Sequence, residues 1–330
     1  MTEFVRGIDK YPTNKTGAVA TLGTFDGIHL GHQAILRRVN EESDRLKAPS
    51  VLITFHPHPR VVLSPSNIPL LLTTLEEKGK FIPDFFHGTV LILEFNEELK
   101  DLTAEQFVEQ ILVKRLGIQK LIVGHDHALG KNRGGNIEEL KRLGGKHGFD
   151  VEVVGPIMYN NQPVSSSRIR TAMYNRKFAE ALAVLGHDYA IYGMVERGLG
   201  LGRRLGYPTA NVAYSHRKLL PPEGVYSCWC EVDGVSHPGM MFIGQNHFNP
   251  QARITVEANI FNFDRDIYDQ GIVVYPTHFV RSNQRFESTE DLVAQLERDK
   301  QQISQILKEE SENVAGQRTK SSGDRSESAA

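Results

Sequence analysis

Apolar residues in the first half of the chain fall into two alternating patterns. AVATLGTF, SVLITFHP, TVLILEF, KLIVG and DVEVVGPIM are short, nearly continuous apolar runs of strand length. Between them, segments 31–46, 103–116 and 137–147 repeat apolar positions at helical spacing. Thr103 followed by Gln106 is a capping-box pattern that opens the second of these helices. Strands alternating with helices predict a parallel α/β sheet. Ligands of such sheets gather at the carboxyl ends of the strands. The segment SSSRIRTAMYNRKFAEALAVLG, 165–186, predicts a capped helix or helix pair closing this half.

From Tyr189 the periodicity changes. YGMVERG, GVYSCWCEVDG, GMMFIG, ITVEANIFNF and GIVVYPTHFV are short alternating runs broken by Gly and Pro, which predicts an all-β unit, a small barrel. DLVAQLERDKQQISQILKEE follows as one terminal helix, and residues 312–330 are polar and small, so a disordered tail is expected there. The expected organisation is 1–186, an α/β domain; 187–311, a β-barrel domain with a C-terminal helix; and 312–330, the tail.

Composition agrees with this picture. The chain has 330 residues, 40% hydrophobic and 24% charged, ordinary for two globular domains. A formal net charge of −2 offers no global attraction for nucleic acid or an anionic membrane, so neither is expected as a partner. The N-terminus MTEFVRGIDKYPTNK lacks the apolar core of a signal peptide, and no apolar run reaches transmembrane length. A cytoplasmic location is expected. Cys228 and Cys230 would share a face of one strand, where a bridge would be strained, so they are read as reduced packing residues.

Candidate chemistry concentrates in GTFDGIHLGH, at the end of the first apolar run and the start of the first helix. Backbone N–H groups at a helix start have no internal partner, and the dipole there favours negative charge. Glycines admit close approach of a ligand, and His29 and His32 are spaced to face one bound group. A phosphate suits these donors. The same residues also fit a tight turn with two surface histidines. TFHPHP and GHDHALGKNRGG lie at other predicted strand ends; for TFHPHP, two prolines that simply stop a strand are an equal reading. Segment 124–131 is not a Walker loop, because its glycine spacing is wrong and Asn132 replaces the Ser/Thr. GLGLGRRLG fails as a dinucleotide fingerprint, and no HExxH pattern supports a metal at His29 and His32.

Taken together, GTFDGIHLGH, TFHPHP and SSSRIR resemble the HxGH nucleotidyltransferases, and within them the FAD synthetase module of the prokaryotic bifunctional riboflavin kinase/FAD synthetases. The resemblance implies a Rossmann-like domain in which His29, His32 and Arg168 stabilise the triphosphate during transfer of a nucleoside monophosphate. It also implies nucleotide contacts from Gly23, Phe25, Asp26, Gly27, Ser165, Ser166 and Ser167, and flavin contacts from His56, Pro57, Asp126 and Arg133. In-line phosphoryl chemistry calls for positioned donors and cations rather than a protein nucleophile. His127 and Leu129 stand where the family pattern favours Phe.

GLGLGRRLGYPTANV resembles the glycine-rich segment and PTAN motif of riboflavin kinases. The resemblance implies that Thr209 and Asn211 bind Mg²⁺ and the ATP phosphates, under a loop containing Gly200, Gly202 and Arg203. VEANIFNF resembles the strand carrying the kinase's catalytic base, here Glu257, and Arg281 and Phe286 match a segment flanking the flavin pocket. Phe242 departs from the family, which has Asn there. The implied activity is phosphorylation of riboflavin to FMN and adenylylation of FMN to FAD, with ATP as co-substrate. A chain with one active module, and a catalytically silent flavin-binding protein, are the alternatives.

Overall fold

The computed structural model describes residues 1–12, 17–131, 134–198, 200–245 and 254–323, with side chains described as far as 312. It divides into two compact units. One comprises Met1–Thr171, Ala183–His187 and Arg217–Leu219; the other comprises Ala172–Leu182, Asp188–His216 and Leu220–Ala330. The units thus interleave around the expected boundary at 186.

The first unit is built on a parallel sheet of β1 (Thr2–Arg6), β2 (Ala18–Leu22), β3 (Ser50–His56), β4 (Gly88–Glu94), β5 (Ile118–Gly124) and β6 (Asp150–Val154), in the order β1-β4-β3-β2-β5-β6. The central β2 is buried at every position, which explains its unbroken apolar run. Edge strand β1 has a polar, half-exposed pattern, TEFVR, and carries too weak a period to be read from sequence. From β2 the chain proceeds through β3 and β4 on one side and places β5 and β6 on the other. The carboxyl ends of β2 and β5 therefore flank the crevice where strand order reverses.

Helix α1 (Leu30–Leu46) begins at His29, whose side chain accepts a hydrogen bond from the His32 N–H, and ends at Lys47 in the left-handed conformation. It buries Leu36 and Val39. The expected capping box at Thr103 and Gln106 is present. The helix it opens is α-helical only over Ala104–Phe107 and continues as a π-helix over Val108–Val113, which buries Val108, Ile111 and Leu112. The helix pair expected after Ser165 forms as Ser166–Tyr174 and Phe178–Leu185.

The second unit contains a closed antiparallel barrel whose strands are Ile191–Glu196, Ala210–Tyr214, Gly224–Val232, Val235–Gly244, Thr255–Ile260 and Gly271–Arg281. Cys228 and Cys230 are buried with their sulfurs 3.7 Å apart and unbonded. The helix Thr289–Gly323 is capped by Ser288, whose Oγ accepts from the Asp291 N–H at 3.1 Å. Ile303 and Leu307 of this helix pack with Val225, Met240 and Phe261 of the barrel. The helix runs on to Gly323, through the first part of the stretch that composition assigns to a disordered tail. Residues 324–330 of that expectation lie outside the described residues.

Candidate functional site

In the first unit the loop from Gly23 to His29 leaves β2 and enters α1 through an unusual backbone. Phe25, Gly27 and Ile28 have φ values of 47°, 92° and 44°. Left-handed geometry at Phe25 and at β-branched Ile28 is strained, on the order of 1–3 kcal/mol each, and persists only where the surroundings impose it. Asp26 supplies much of that restraint. Its carboxylate is buried. Oδ1 accepts from the N–H groups of Leu72 at 2.9 Å and Thr73 at 3.0 Å. Oδ2 accepts from the Arg170 guanidinium. The Thr73 hydroxyl in turn accepts from the Gly27 N–H at 2.9 Å. The Thr24 carbonyl accepts from the buried Lys78 ammonium at 2.5 Å and from Thr54 Oγ1 at 3.3 Å. His187 Nε2 lies 2.8 Å from the Gly27 carbonyl.

The two histidines meet as their spacing suggests. Their rings stack with centroids 3.7 Å apart and planes 15° from parallel, and Phe25 packs against His32 at 5.0 Å. His29 Nδ1 accepts from the His32 N–H at 3.3 Å, so its proton sits on Nε2 in the neutral form. Both rings are held neutral. Burial pushes the His29 imidazole down to about 4, against the opposing pull of Asp26 and Asp126. Burial, reinforced by His29 and Lys78, holds His32 well below its ordinary value. His32 Nδ1 is buried without a hydrogen-bond partner among the described residues. A Cβ at Gly31 would stand 3.2 Å from the His29 ring, a tight contact that glycine avoids.

Ser165 and Ser166 join this loop. Ser166 Oγ donates to the Asp26 carbonyl at 2.8 Å, and Ser165 Oγ accepts from the Arg168 N–H at 3.2 Å at the start of the helix. Ser167 is exposed on that first turn. Arg168 is held by the carbonyls of Tyr159 at 2.9 Å and Gln162 at 3.0 Å, on the short hairpin preceding the helix. Arg170, two residues on and not singled out by sequence reasoning, makes the ion pair with Asp26. Lys78 and Thr73 were equally missed; the capping box of Thr74 and Glu77 beside them is the signal that could have drawn attention to that turn.

The residues associated with flavin are more scattered. His56 is exposed and Pro57 half-buried at the carboxyl end of β3. Asp126 is exposed beyond β5, near enough to His29 to favour its protonated form. Arg133 lies outside the described residues. Leu129 is buried in the hydrophobic core of this unit, so this departure from the family pattern is a packing position.

The barrel brings its candidates together by strand register. Asn211 pairs directly with Glu257, and Glu257 pairs on its other side with Phe242. Thr209 Oγ1 donates to Glu257 Oε2 at 3.1 Å. Asn259 Nδ2 donates to the Pro208 carbonyl at 2.7 Å, which fixes the PTAN turn against the neighbouring strand. A Cβ at Gly198 would stand 2.3 Å from the Asn211 amide, and one at Gly202 would stand 2.2 Å from the Tyr207 carbonyl oxygen. These two glycines let the loop lie directly on the site. Gly200, at φ 67°, caps the short helix Leu201–Arg204. Arg203, Thr209, Ala258, Phe263 and Tyr268 are among the residues lining one cavity.

Arg281 and Phe286 are not among that lining. Arg281 is bound by buried Asp299, with Nε 3.0 Å from both carboxylate oxygens and Nη2 2.6 Å from Oδ2. Phe286 is half-buried just before the terminal helix.

Among the described residues no group of three or more His, Cys, Asp or Glu could hold a metal. The neutral oxygens of Thr209 and Asn211 beside Glu257 are nonetheless the donor type that suits magnesium shared with phosphate oxygens.

A family model described as FAD synthetase matches residues 11–168, and one described as riboflavin kinase matches residues 185–307. A bifunctional riboflavin kinase/FMN adenylyltransferase of Pseudomonas fluorescens is 36% identical over 298 residues, covering 90% of this chain and 95% of that protein. The Escherichia coli K12 protein of the same name is 34% identical over 301 residues, again 90% and 95%. A crystal structure of a protein named as a macrolide-efflux protein of Streptococcus pneumoniae matches with a TM-score of 0.80 at 30% identity, over 91% of this chain and 97% of that one. No helix among the described residues is long and apolar enough to cross a membrane.

Proposed function

The chain belongs to the bifunctional riboflavin kinase/FMN adenylyltransferase family, and from that premise we propose that each unit runs one ATP-dependent transfer. The barrel converts riboflavin to FMN, and the α/β unit converts FMN to FAD. The observation that supports this division is that each unit brings its own set of candidate phosphate-binding residues together, His29 with His32 in one and Thr209 and Asn211 with Glu257 in the other.

In the barrel, Glu257 accepts the proton of the riboflavin 5′-hydroxyl as that oxygen attacks the γ-phosphorus of ATP and the bond to ADP breaks. The Thr209 hydroxyl already donates to this carboxylate, which orients it without removing its capacity to accept a proton. Thr209 and Asn211 would hold Mg²⁺, whose chemistry is to neutralise charge shared between phosphates. Gly198, Gly200, Gly202 and Arg203 cover the phosphates.

In the α/β unit, a phosphate oxygen of FMN attacks the α-phosphorus of ATP, and the electron pair of the broken bond leaves with pyrophosphate. The Nε2–H of His29, the His32 ring and the N–H groups at the start of α1 donate to the triphosphate. Binding of an anion that charged raises the affinity of both rings for protons, so they can become imidazolium as charge develops. Ser165, Ser166, Ser167 and Arg168 complete the cradle from the opposite helix start. Asp26 and Lys78 hold the loop's shape. His56, Pro57, Asp126, Arg133, Arg281 and Phe286 remain the residues proposed for the flavin, with a domain boundary at 186 and a cytoplasmic location. Purified protein given riboflavin, ATP and Mg²⁺ should yield FMN and then FAD by chromatography, and a chelator should stop both. Absence of both products from folded protein would contradict the reading.

A further inference from the structure

Lys218 lies, in chain order, between two barrel strands and within the segment matched as riboflavin kinase. Its place in the fold is elsewhere. Arg217–Leu219 belongs to the α/β unit and adds to it as a short parallel bridge: the Leu71 N–H donates to the Arg217 carbonyl at 2.6 Å, and the Leu219 N–H donates to the Leu71 carbonyl at 2.8 Å. The Lys218 ammonium is buried and donates to the Leu72 carbonyl and to Glu77 Oε2, both at 2.7 Å. Both side chains of this ion pair are only 1% exposed.

The turn that Lys218 grips also holds the nucleotide loop. Leu72 and Thr73 present their N–H groups to Asp26, the Thr73 hydroxyl accepts from the Gly27 N–H, and Arg170 reaches both Asp26 and the Leu70 carbonyl. Glu77 Oε2, besides pairing with Lys218, accepts from the Thr74 N–H at 2.8 Å to close the capping box that follows the turn. A continuous set of hydrogen bonds therefore runs from Lys218 through the Leu72 peptide to Asp26, and so to the strained Phe25–Ile28 backbone that sets the stacked histidines. Strain of that kind needs restraint from outside the loop. The Leu72 peptide is held at both ends, its N–H by Asp26 and its carbonyl by Lys218.

We propose that Lys218, with Glu77, is a positioning residue for FMN adenylylation, although its sequence neighbours build the kinase barrel. This rests on the assignment of adenylyl transfer to the α/β unit. Removing the ammonium leaves the Glu77 carboxylate buried without its counter-charge, a large penalty to stability. It also frees the Leu72 carbonyl, and misplacement of a catalytic group by about 1 Å can lower a rate on the order of 10²-fold. These two effects are separable.

The full-length wild type, Lys218→Met and the double variant Glu77→Gln/Lys218→Met are compared in three readouts: kcat and KM for FAD formation from FMN, the rate of FMN formation from riboflavin, and thermal denaturation. The expected result for Lys218→Met is a kcat for adenylylation lower by on the order of 10-fold to 10²-fold, with riboflavin phosphorylation unchanged. The double variant, in which neither position 77 nor position 218 carries a charge, should recover stability while adenylylation stays low. The proposal is overturned if Lys218→Met makes FAD at the wild-type rate, if the double variant regains adenylylation together with stability, or if both activities fall in parallel. A wild-type chain that made no FAD would overturn the functional reading itself, separately from the outcome for Lys218.

Discussion

The two candidate sites are assembled by different means. In the barrel, Asn211 and Glu257 are register partners on adjacent antiparallel strands, and Thr209 reaches the same carboxylate from the preceding turn. Pairing of the strands alone brings these groups together. In the α/β unit, the loop after β2 is held by Leu72, Thr73, Ser166 and Arg170, residues separated from Asp26 by 46, 47, 140 and 144 positions respectively. A parallel sheet gathers its site at strand ends, and those ends are joined only through tertiary contacts. The barrel site is thus fixed by strand register, even though Asn211 and Thr209 lie 46 and 48 positions from Glu257, whereas the α/β site depends on buried side-chain anchors around its loop.

This contrast predicts which substitutions break which activity. The largest single effect falls on the barrel: Glu257→Gln should lower FMN formation by on the order of 10²–10⁴-fold if the carboxylate is the general base. FAD formation from supplied FMN should persist. An unchanged kinase rate would remove Glu257 from the proposed step. His32→Ala is the reciprocal test, expected to lower FAD formation by on the order of 10²-fold, the scale of one lost donor to developing charge, with FMN formation retained. Loss of both activities in one of these variants would contradict the independence of the sites.

A pH dependence distinguishes the units further. His29 is held neutral by burial, with its pKa lowered to about 4, and His32 is lowered well below its ordinary value of 6.5. Because the unfolded chain then binds protons more readily than the folded one, the α/β unit keeps its full stability above about pH 6.5 and loses it as pH falls toward 4. For His29 that loss is on the order of 3 kcal/mol. Denaturation followed from pH 7.5 to pH 4.5 should show the decline, and His29→Gln should flatten it. A profile identical in that variant would rule out His29 as its source. The smallest effect expected is from Asn136→Ala, which removes the cap of helix Ile137–His147 and should lower stability by about 1 kcal/mol without altering barrel chemistry. Chemical denaturation would measure it, and no change would mean that the cap contributes nothing.

The same contrast explains what could be read from sequence. Five of the six parallel strands were visible as apolar runs, whereas β1 was not, because it is a half-exposed edge strand. Five of the six barrel strands were legible from their alternation, whereas Ala210–Tyr214 was not among those runs, and Thr209, Asn211 and Glu257 were singled out by motif resemblance. The histidine pair was legible because its partners are three residues apart. Lys78, Thr73, Arg170 and Lys218 were not: their roles arise from burial and from contacts across long sequence separations. Arg168 and Arg281 show the converse. Their motif positions were plain, yet their guanidinium groups are occupied, by hairpin carbonyls and by Asp299 respectively.

The most direct test of two independent transfers is a coupled assay run with two starting substrates on a single preparation of the Glu257→Gln chain. Starting from FMN, ATP and Mg²⁺, the account predicts FAD at the wild-type rate; starting from riboflavin, it predicts almost no FMN and therefore no FAD. Equal impairment from both starting points would contradict it.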